Sequence, residues 1–260
     1  HPRNAADLAS SARELAPDLV PASLRQADDL IAWMEADRAE RGVRRLGLLA
    51  RADDPALAQL GERGADAGEG YRYVRASASP EAAALLRERF ANLAPRPLGL
   101  TTSAGFGDRL GVATPGHVHA LRQADPDGRI RPVFAQQSIR EMTRTGRTAQ
   151  QVVDDATFGA FAAGWQKPVG GDADHLKTDE DVHRCVAAGF AMFTFDPGDR
   201  VDDAAAEAQG ATLDAKLDAL PWDALRTDKA TLLQRYVGCA IDADGLALTL
   251  DEVAVARAAA

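Results

Sequence analysis

The chain has 260 residues, of which 46% are hydrophobic and 27% are charged, and its formal net charge is −9 with a pI near 5.1. This length allows one large α/β domain or one domain with an appendage. The acidic balance argues against nucleic acid or an anionic membrane as the main partner, because both need a basic surface. No apolar run approaches the ~20 residues of a membrane-spanning helix, and no signal-peptide pattern opens the chain. We therefore expect a cytoplasmic protein.

The two cysteines, Cys185 and Cys239, form neither a C-x-x-C motif nor a zinc-finger spacing. Both stand among apolar residues, so we expect buried thiols without a disulfide framework. This composition is typical of a reducing compartment.

Residues 1–95 are predicted to form a small N-terminal α/β region. Apolar side chains spaced among charges predict a helix over 22–41. The stretches "VRRLGLLA" (43–50) and "YRYV" (71–74) predict short strands. Ser79 and Pro80 then begin a helix that runs to about Leu93, because Ser is a preferred N-cap and Pro a preferred first helical residue.

Residues 96–260 are predicted to form part of a (β/α) barrel of the TIM-barrel type. Strands are predicted at "PLGLTTS" (97–103), "RPVFAQQ" (131–137), "DADHLK" (172–177) and "FAMFTFD" (190–196). Helices are predicted to begin at Thr114, Ser138, Thr148 and Thr178, so strands and helices alternate as in a parallel α/β fold.

The predicted barrel is incomplete. Residues 203–260 cannot supply four more strands at ~25–30 residues per strand–helix unit of an eight-stranded barrel. The last ten residues, "DEVAVARAAA", predict a helix without a stop signal. We therefore expect either a fragment that is truncated at its C-terminus or a shortened relative of such barrels.

Polar or charged residues follow each predicted strand of the barrel part. In (β/α) barrels such strand ends meet at one mouth. The spacing of Ser138 and Glu141 fits a capping box, which needs no ligand. Arg140 and Arg144 are four residues apart and share one helical face, which is either solvated or grips an anion. The entrance of this helix is therefore predicted to form part of a site.

His175 is the histidine of most interest, because it follows Asp174 at the end of a predicted strand. Regular alternation along the strand would place His175 and Lys177 on one face and Asp174 on the other. A structural histidine with satisfied hydrogen bonds remains the alternative.

Several ordered blocks resemble the tagaturonate epimerase family over about residues 98–202. They are "GFGDRLGVATPGHVHAL" (105–121), "FAQQSIREMTRTGRT" (134–148), "DDATFGAFAAGW" (154–165), "DADHLKT" (172–178) and "FTFDPGD" (193–199). The resemblance implies a metal-dependent sugar-acid epimerase on an aldolase-type barrel that interconverts D-tagaturonate and D-fructuronate, some relatives also accepting tagatose and fructose. Chains of this family are longer, so we expect part of a metal shell to be missing here.

The resemblance also implies a set of site residues. The residues expected to bind substrate are Gly107, Arg109, Thr114, Gln136, Gln137, Ser138 and Arg140. The residues expected to be catalytic are Asp108, as acid/base, and Lys177, which would pair with the substrate carboxylate or form a Schiff base. The expected metal ligands are His175 and, as a weaker candidate, Asp174, around a divalent ion whose identity stays open.

The substrate would be a small sugar acid or ketose, and the two sugar acids differ at a carbon β to the ketone. Enolisation cannot invert that carbon, so retro-aldol cleavage and re-addition is the expected mechanism. Two alternatives stay open: a catalytically idle sugar-binding or regulatory half-barrel, and a metal-dependent aldolase that releases the aldehyde. Homo-oligomerisation also stays open.

Overall fold

The computed structural model describes residues 5–36, 44–60 and 64–260. The chain falls into two compact units, His1–Asp196 and Pro197–Ala260. The boundary that the sequence predicts near residue 95 stays a prediction. None of the described helices combines the length and the apolar character that crossing a bilayer requires.

The first unit begins with helix α1 (Ala5–Leu15) and an antiparallel sheet. Its strands are β1 (Arg25–Ala27), β2 (Leu30–Ala36), β3 (Arg44–Arg51), β4 (Ala65–Asp66) and β5 (Tyr71–Ser77), and a short helix α2 (Pro55–Gln59) follows β3. Within the described residues the strand order is β1-β2-β3-β5-β4. The strands predicted at 43–50 and 71–74 are confirmed, apart from residue 43, which lies outside the described residues.

The predicted helix over 22–41 is wrong from residue 24 to residue 36, because β1 and β2 form a hairpin there, whereas residues 22 and 23 belong to a single 3-10 turn, Pro21–Ser23. Asp28 turns the chain with a φ of 52°, a left-handed conformation that aspartate tolerates. Every residue from 30 to 34 is buried, since α1 covers one face of β2 and the core of the unit covers the other. Burial on both faces leaves no alternation that a sequence pattern could display. Residues 37–41 lie outside the described residues.

A parallel sheet follows helix α3 (Pro80–Arg89), which begins at Ser79 as predicted. Its strands, adjacent in chain order within the described residues, are β6 (Ser103–Gly107), β7 (Arg131–Ser138), β8 (Gly170–Leu176) and β9 (Met192–Phe195). The predicted strands at 131–137, 172–177 and 190–196 are confirmed. The strand predicted at 97–103 is misplaced, because pairing begins at Ser103 and Leu100 is fully exposed.

The helices that connect these strands begin where the sequence predicts. They are α4 (Thr114–Ala124), α5 (Ile139–Thr145), α6 (Ala149–Ala162) and α7 (Asp179–Ala188). Thr148 and Gln151 form a reciprocal capping box at α6, and the Thr178 hydroxyl accepts the Asp181 N–H at α7. Because the four strands are parallel, their carboxyl ends lie along one edge of the sheet.

Helices α3 and α6 lie in the core between the antiparallel and the parallel sheet. Leu48 of β3, Leu86 of α3, Phe161 of α6 and Phe134 of β7 belong to one buried cluster. Each such side chain contributes about 1.5–3 kcal/mol on burial. The cluster therefore fixes the two sheets of the first unit to each other through α6.

The second unit contains helices α8 (Gly210–Asp218), α9 (Trp222–Leu225), α10 (Lys229–Tyr236) and α11 (Glu252–Ala259), and the antiparallel strands β10 (Ala240–Ala243) and β11 (Leu246–Thr249). The helix predicted in the last ten residues is confirmed. Leu213, Leu217 and Ala256 form a small core with Ala208. Cys239 is exposed in this unit, so its predicted burial is wrong, whereas Cys185 of the first unit is buried as predicted.

Candidate active site

A cavity of about 630 Å³ opens at the carboxyl ends of β6, β7 and β8. Every residue that the sequence assigned to the site lines this cavity, except Thr114 and Lys177. The lining residues are Gly107, Asp108, Arg109, Leu110, Val112, Ala113, Gln136, Gln137, Ser138, Arg140, Glu141, Asp174 and His175. The sequence therefore predicted the place of this cavity and most of its wall.

A second cavity of about 330 Å³ adjoins the first, and Ser138, Arg140 and His175 line both. Lys177 lines this second cavity together with Asp196, and their side chains approach to 3.7 Å. His175 therefore stands between the main cavity and Lys177.

Thr114 lies at the first position of α4 and is 2% exposed. It packs against Gly159 of α6, where an added Cβ would come within 2.5 Å of the Thr114 Cβ. This contact makes Thr114 part of the packing of α4 on α6, outside the cavity wall.

Asp108 is a buried carboxylate that organises the loop after β6. Its Oδ1 accepts the N–H groups of Leu110, Gly111 and Val112 at 2.7–3.2 Å, and its Oδ2 accepts that of Ala113 at 2.7 Å. Burial alone would raise the pKa of Asp108, but these backbone hydrogen bonds outweigh it and lower the pKa below the ordinary value. Both oxygens are thus occupied in holding the loop, which disfavours the acid/base role suggested by the sequence.

The same loop is braced from two other elements. Arg147, between α5 and α6, donates to the Asp108 carbonyl at 2.6 Å and pairs with Asp155 of α6 at 2.7 Å. Arg44 of β3 pairs with Asp155 at 3.2 Å and donates to the Gly111 carbonyl. The antiparallel sheet therefore helps to hold one wall of the cavity.

The start of α5 carries a carboxylate that the sequence did not assign to the site. The Ser138 hydroxyl accepts the Glu141 N–H at 3.2 Å, as a cap should. The Glu141 carboxylate does not complete the predicted capping box. It contacts Arg109, Arg140 and Arg144 at 3.0, 3.8 and 3.5 Å. The helix entrance is therefore also part of a charged cluster at the cavity rim.

His175 departs from regular strand geometry, with a φ of 56°. The pairing of β8 with β9 also shifts register between Ala173 and Leu176. As a result Asp174 and His175 both line the main cavity, and the predicted separation of their side chains onto opposite faces is wrong. The His175 Nδ1 lies 2.7 Å from an Asp174 oxygen, so this carboxylate orients the ring and leaves Nε2 for another partner.

A polar row crosses the sheet beneath the cavity. The Thr194 hydroxyl donates to Asp172 at 2.9 Å, and the Gln136 amide lies 3.5 Å from the other Asp172 oxygen. The Gln136 side-chain amide lies against Gly105 of β6, so a Cβ at position 105 would displace it. Asp172 is 3% exposed, and burial raises its pKa while the Thr194 hydrogen bond opposes the rise. Asp172 and Thr194 were not among the site residues predicted from the sequence, although Asp172 and Asp174 stand two residues apart on one strand.

Metal-ligand geometry is incomplete in the part of the chain that the structure describes. No group of three or more His, Cys, Asp or Glu side chains there is arranged to hold an ion. Asp174 and His175 are a carboxylate–imidazole pair of the kind that orients a histidine ligand. The described donors therefore do not form a metal site by themselves, and His175 is a donor that could contribute to one.

Comparison with known proteins decides the family. The family model for tagaturonate epimerase, UxaE, matches residues 21–260. The chain belongs to the tagaturonate epimerase family. The match confirms the resemblance that the sequence blocks indicated and extends it over both units.

Relatives of known identity agree with this assignment. The chain is 47% identical over 133 residues to the tagaturonate/fructuronate epimerase of Thermotoga maritima, a match that covers 51% of the chain and 27% of the relative. It is also similar to two crystal structures of fructuronate-tagaturonate epimerase UxaE from Cohnella laeviribosi, one native and one with two glycerols. These have TM-scores of 0.70 and 0.71, each at 29% identity. Each structural match covers 92% of this chain and 45% of the relative's chain, so the chain spans less than half the length of these relatives.

Proposed function

We propose that the cavity at the carboxyl ends of β6, β7 and β8 is the sugar-acid site of an enzyme that interconverts D-tagaturonate and D-fructuronate. The observation that carries the proposal is the meeting of Arg109, Arg140, Gln136, Gln137 and His175 around one cavity in a member of this family. Its volume of about 630 Å³ lies within the ~300–1,000 Å³ of small-molecule sites.

The arginines account for the anionic end of the substrate. Arg109 and Arg140 line the cavity, and a guanidinium group can donate two parallel hydrogen bonds to a carboxylate. An acidic protein with net charge −9 needs such local basic groups to hold a uronate. We therefore assign the uronate carboxylate to the side of the cavity formed by the loop after β6 and by the start of α5.

The amides account for the hydroxyl groups. Gln137 is 3% exposed, and its Nε2 has no hydrogen-bond partner within the described residues. A buried donor without a partner is costly, and a substrate hydroxyl or carbonyl oxygen would satisfy it. Gln136 reaches the same cavity from the neighbouring position of β7.

The proposed reaction is retro-aldol cleavage followed by re-addition. The carbon–carbon bond between the α and β positions breaks while the β-hydroxyl loses its proton, which gives an aldehyde and an enediolate. The aldehyde turns its other face, the bond forms again, and the new alkoxide regains a proton. The protein must hold both fragments while the aldehyde turns, and the anchors at the carboxylate end of the cavity would hold the fragment that carries the carboxylate.

A divalent metal ion is part of the proposal. His175, oriented by Asp174, would be one ligand, and within the described residues no group of three or more candidate ligands completes the site. When bound, such an ion would stabilise negative charge on the ketone oxygen as an enediolate forms. Lys177, which lines the adjoining cavity, would pair with an anionic group of the substrate. The alternative role for Lys177 is a Schiff base with the substrate ketone, which a chemical trapping experiment can detect.

The parallel sheet fits the same proposal at the level of the fold. Adjacent parallel strands in chain order with intervening helices are what one arc of a (β/α) barrel contains. We propose that β6 to β9 are such an arc. A structure of a family member of the relatives' full length in which the strands equivalent to β6 and β9 have no further strand beside them would contradict it.

Product analysis tests the function. Purified protein is incubated with tagaturonate, fructuronate, tagatose and fructose, with and without added divalent metal, and the sugars are separated by carbohydrate chromatography. An epimer supports the proposal. Triose-like products indicate an aldolase, and binding without turnover indicates an idle sugar-binding protein.

Two treatments separate the chemical alternatives. Full activity after chelation of metal contradicts the metal ion. Trapping of a lysine adduct by borohydride, lost in Lys177→Met, would favour the Schiff base over the metal ion.

A further inference from the structure

The arginine cluster at the cavity rim contains an acidic residue that no substrate-binding role explains. The Glu141 side chain is 11% exposed, whereas those of Arg109, Arg140 and Arg144 are 69%, 72% and 64% exposed. A carboxylate next to an anion site repels the anion. Its position among the guanidinium groups therefore needs another explanation.

The charges of this cluster do not cancel. Three guanidinium groups surround one carboxylate, which leaves an excess of two positive charges among these four side chains. Arg109 and Arg140 line the cavity and Arg144 does not. Glu141 lines it as well, so the cluster places one net positive charge at the cavity, which a single carboxylate would balance.

The contacts also show which arginine nitrogens face Glu141. A Glu141 carboxylate oxygen lies 3.0 Å from the Nε of Arg109, and the other lies 3.8 Å from the Nε of Arg140. A guanidinium group has five N–H donors, and Nε carries one of them. The terminal nitrogens of Arg109 and Arg140 thus keep their donors for a second anion, while the contact limits the rotamers of two long exposed side chains.

We propose that Glu141 is a positioning residue that holds Arg109 and Arg140 for the carboxylate of a uronate, and that it thereby sets the preference for uronates over uncharged ketoses. This inference rests on the proposed function of the cavity. Glu141 acts through the arginines and contacts no reacting atom in this scheme.

A structural role for Glu141 makes a different prediction. Its i,i+3 pair with Arg144 and its place in the first turn of α5 stabilise the helix whether or not a substrate binds. Loss of that contribution would affect uronate and ketose alike. The comparison of a charged with an uncharged substrate therefore separates the two roles.

The test compares Glu141→Gln, which keeps the shape, with Glu141→Asp, which keeps the charge. Asp127→Asn is the matched control, since Asp127 pairs with Arg129 in an exposed turn that lines neither cavity. KM and kcat are measured for tagaturonate and tagatose, calorimetry gives Kd for both sugars, and thermal unfolding checks the fold.

Loss of the anchored guanidinium contacts in Glu141→Gln is expected to raise KM and Kd for tagaturonate about tenfold and to leave those for tagatose within about twofold. Glu141→Asp should raise KM and Kd for tagaturonate less than Glu141→Gln does. Asp127→Asn should have the KM and Kd values of wild type for both sugars. Equal changes for both sugars, no change, or tighter tagaturonate binding by Glu141→Gln would each overturn the inference.

Failure of the proposed function has its own signature. If the wild-type protein binds tagaturonate without epimerising it, the proposed epimerase function is contradicted. The calorimetric comparison of the variants would still decide the role of Glu141. Wild type that binds neither sugar would overturn both.

Discussion

Replacement of Asp108 by Asn probes the loop that forms one wall of the cavity. The change keeps the size of the side chain and removes its charge. In the native loop the carboxylate accepts four backbone N–H groups, the shortest at 2.7 Å from Gly111 and from Ala113. The asparagine oxygen can accept from the Oδ1 side, but its NH₂ group then faces the Ala113 N–H, a donor against a donor.

The size of the effect follows from these contacts. One buried N–H without a partner costs about 1–3 kcal/mol, and the remaining bonds lose their charge assistance, which makes neutral hydrogen bonds roughly half as strong. We expect Asp108→Asn to lower the free energy of unfolding by about 2–4 kcal/mol at pH 7.

The effect depends on pH in a defined direction. The pKa of Asp108 is lowered in the folded protein, so its contribution is present above the unfolded pKa of about 3.9 and is lost as the pH falls through the folded pKa. The difference between wild type and Asp108→Asn should therefore be full at pH 7 and shrink below about pH 4.

Urea unfolding at pH 7 and at acid pH measures both effects. Asp66→Asn is the control, because Asp66 is exposed and its carboxylate accepts the Gly68 N–H at 2.9 Å in an open turn. An Asp108→Asn protein as stable as wild type at pH 7, or a difference that grows in acid, would refute the assignment of Asp108 to the loop.

Three further changes test other parts of the account. Arg140→Gln should raise KM for tagaturonate about tenfold and spare tagatose, whereas Arg129→Gln, in an exposed pair, should change neither in steady-state assays. Gly159→Ala should destabilise the protein by about 1–3 kcal/mol in thermal unfolding, since its Cβ would meet α4 at 2.5 Å; wild-type stability would contradict that packing. Arg87→Met leaves Asp154 buried without its 2.7 Å partner and should cost about 3–5 kcal/mol. Arg129→Met, the same change in an exposed pair, should cost less than about 1 kcal/mol.

Local signals in the sequence were sufficient to predict several helix starts. Ser79, Thr148 and Thr178 each accept the N–H three residues on, and each stands where its residue type predicts an N-cap. Such capping depends on a few neighbouring residues and hardly on tertiary structure. The end of β8, which directly precedes the cap at Thr178, could therefore be predicted from the sequence.

The N-terminal hairpin could not be predicted in the same way. The strand β2 is covered on both faces by parts of the first unit distant in sequence. Leu30, Ile31 and Met34 then match a helical spacing as well as a buried strand. Asp28 and Asp29 were the local sign of a turn. They indicate a hairpin only if the flanking segments pair as strands, and that pairing cannot be read from the local sequence.

The cavity itself was predicted in part. Its wall follows from the rule that parallel strands end at one edge, which is why Gln136, Gln137 and His175 meet there. The roles of Asp108 and Glu141 depend on which groups each carboxylate contacts in the folded protein. A sequence shows the charges of a loop without showing their partners.

The most direct test of the central claim is a crystal structure of the protein with tagaturonate bound. We expect the uronate carboxylate to lie within hydrogen-bonding distance of the guanidinium groups of Arg109 or Arg140, with the sugar extending towards His175. A uronate bound elsewhere, or one in this cavity with its carboxylate directed away from both arginines, would contradict it.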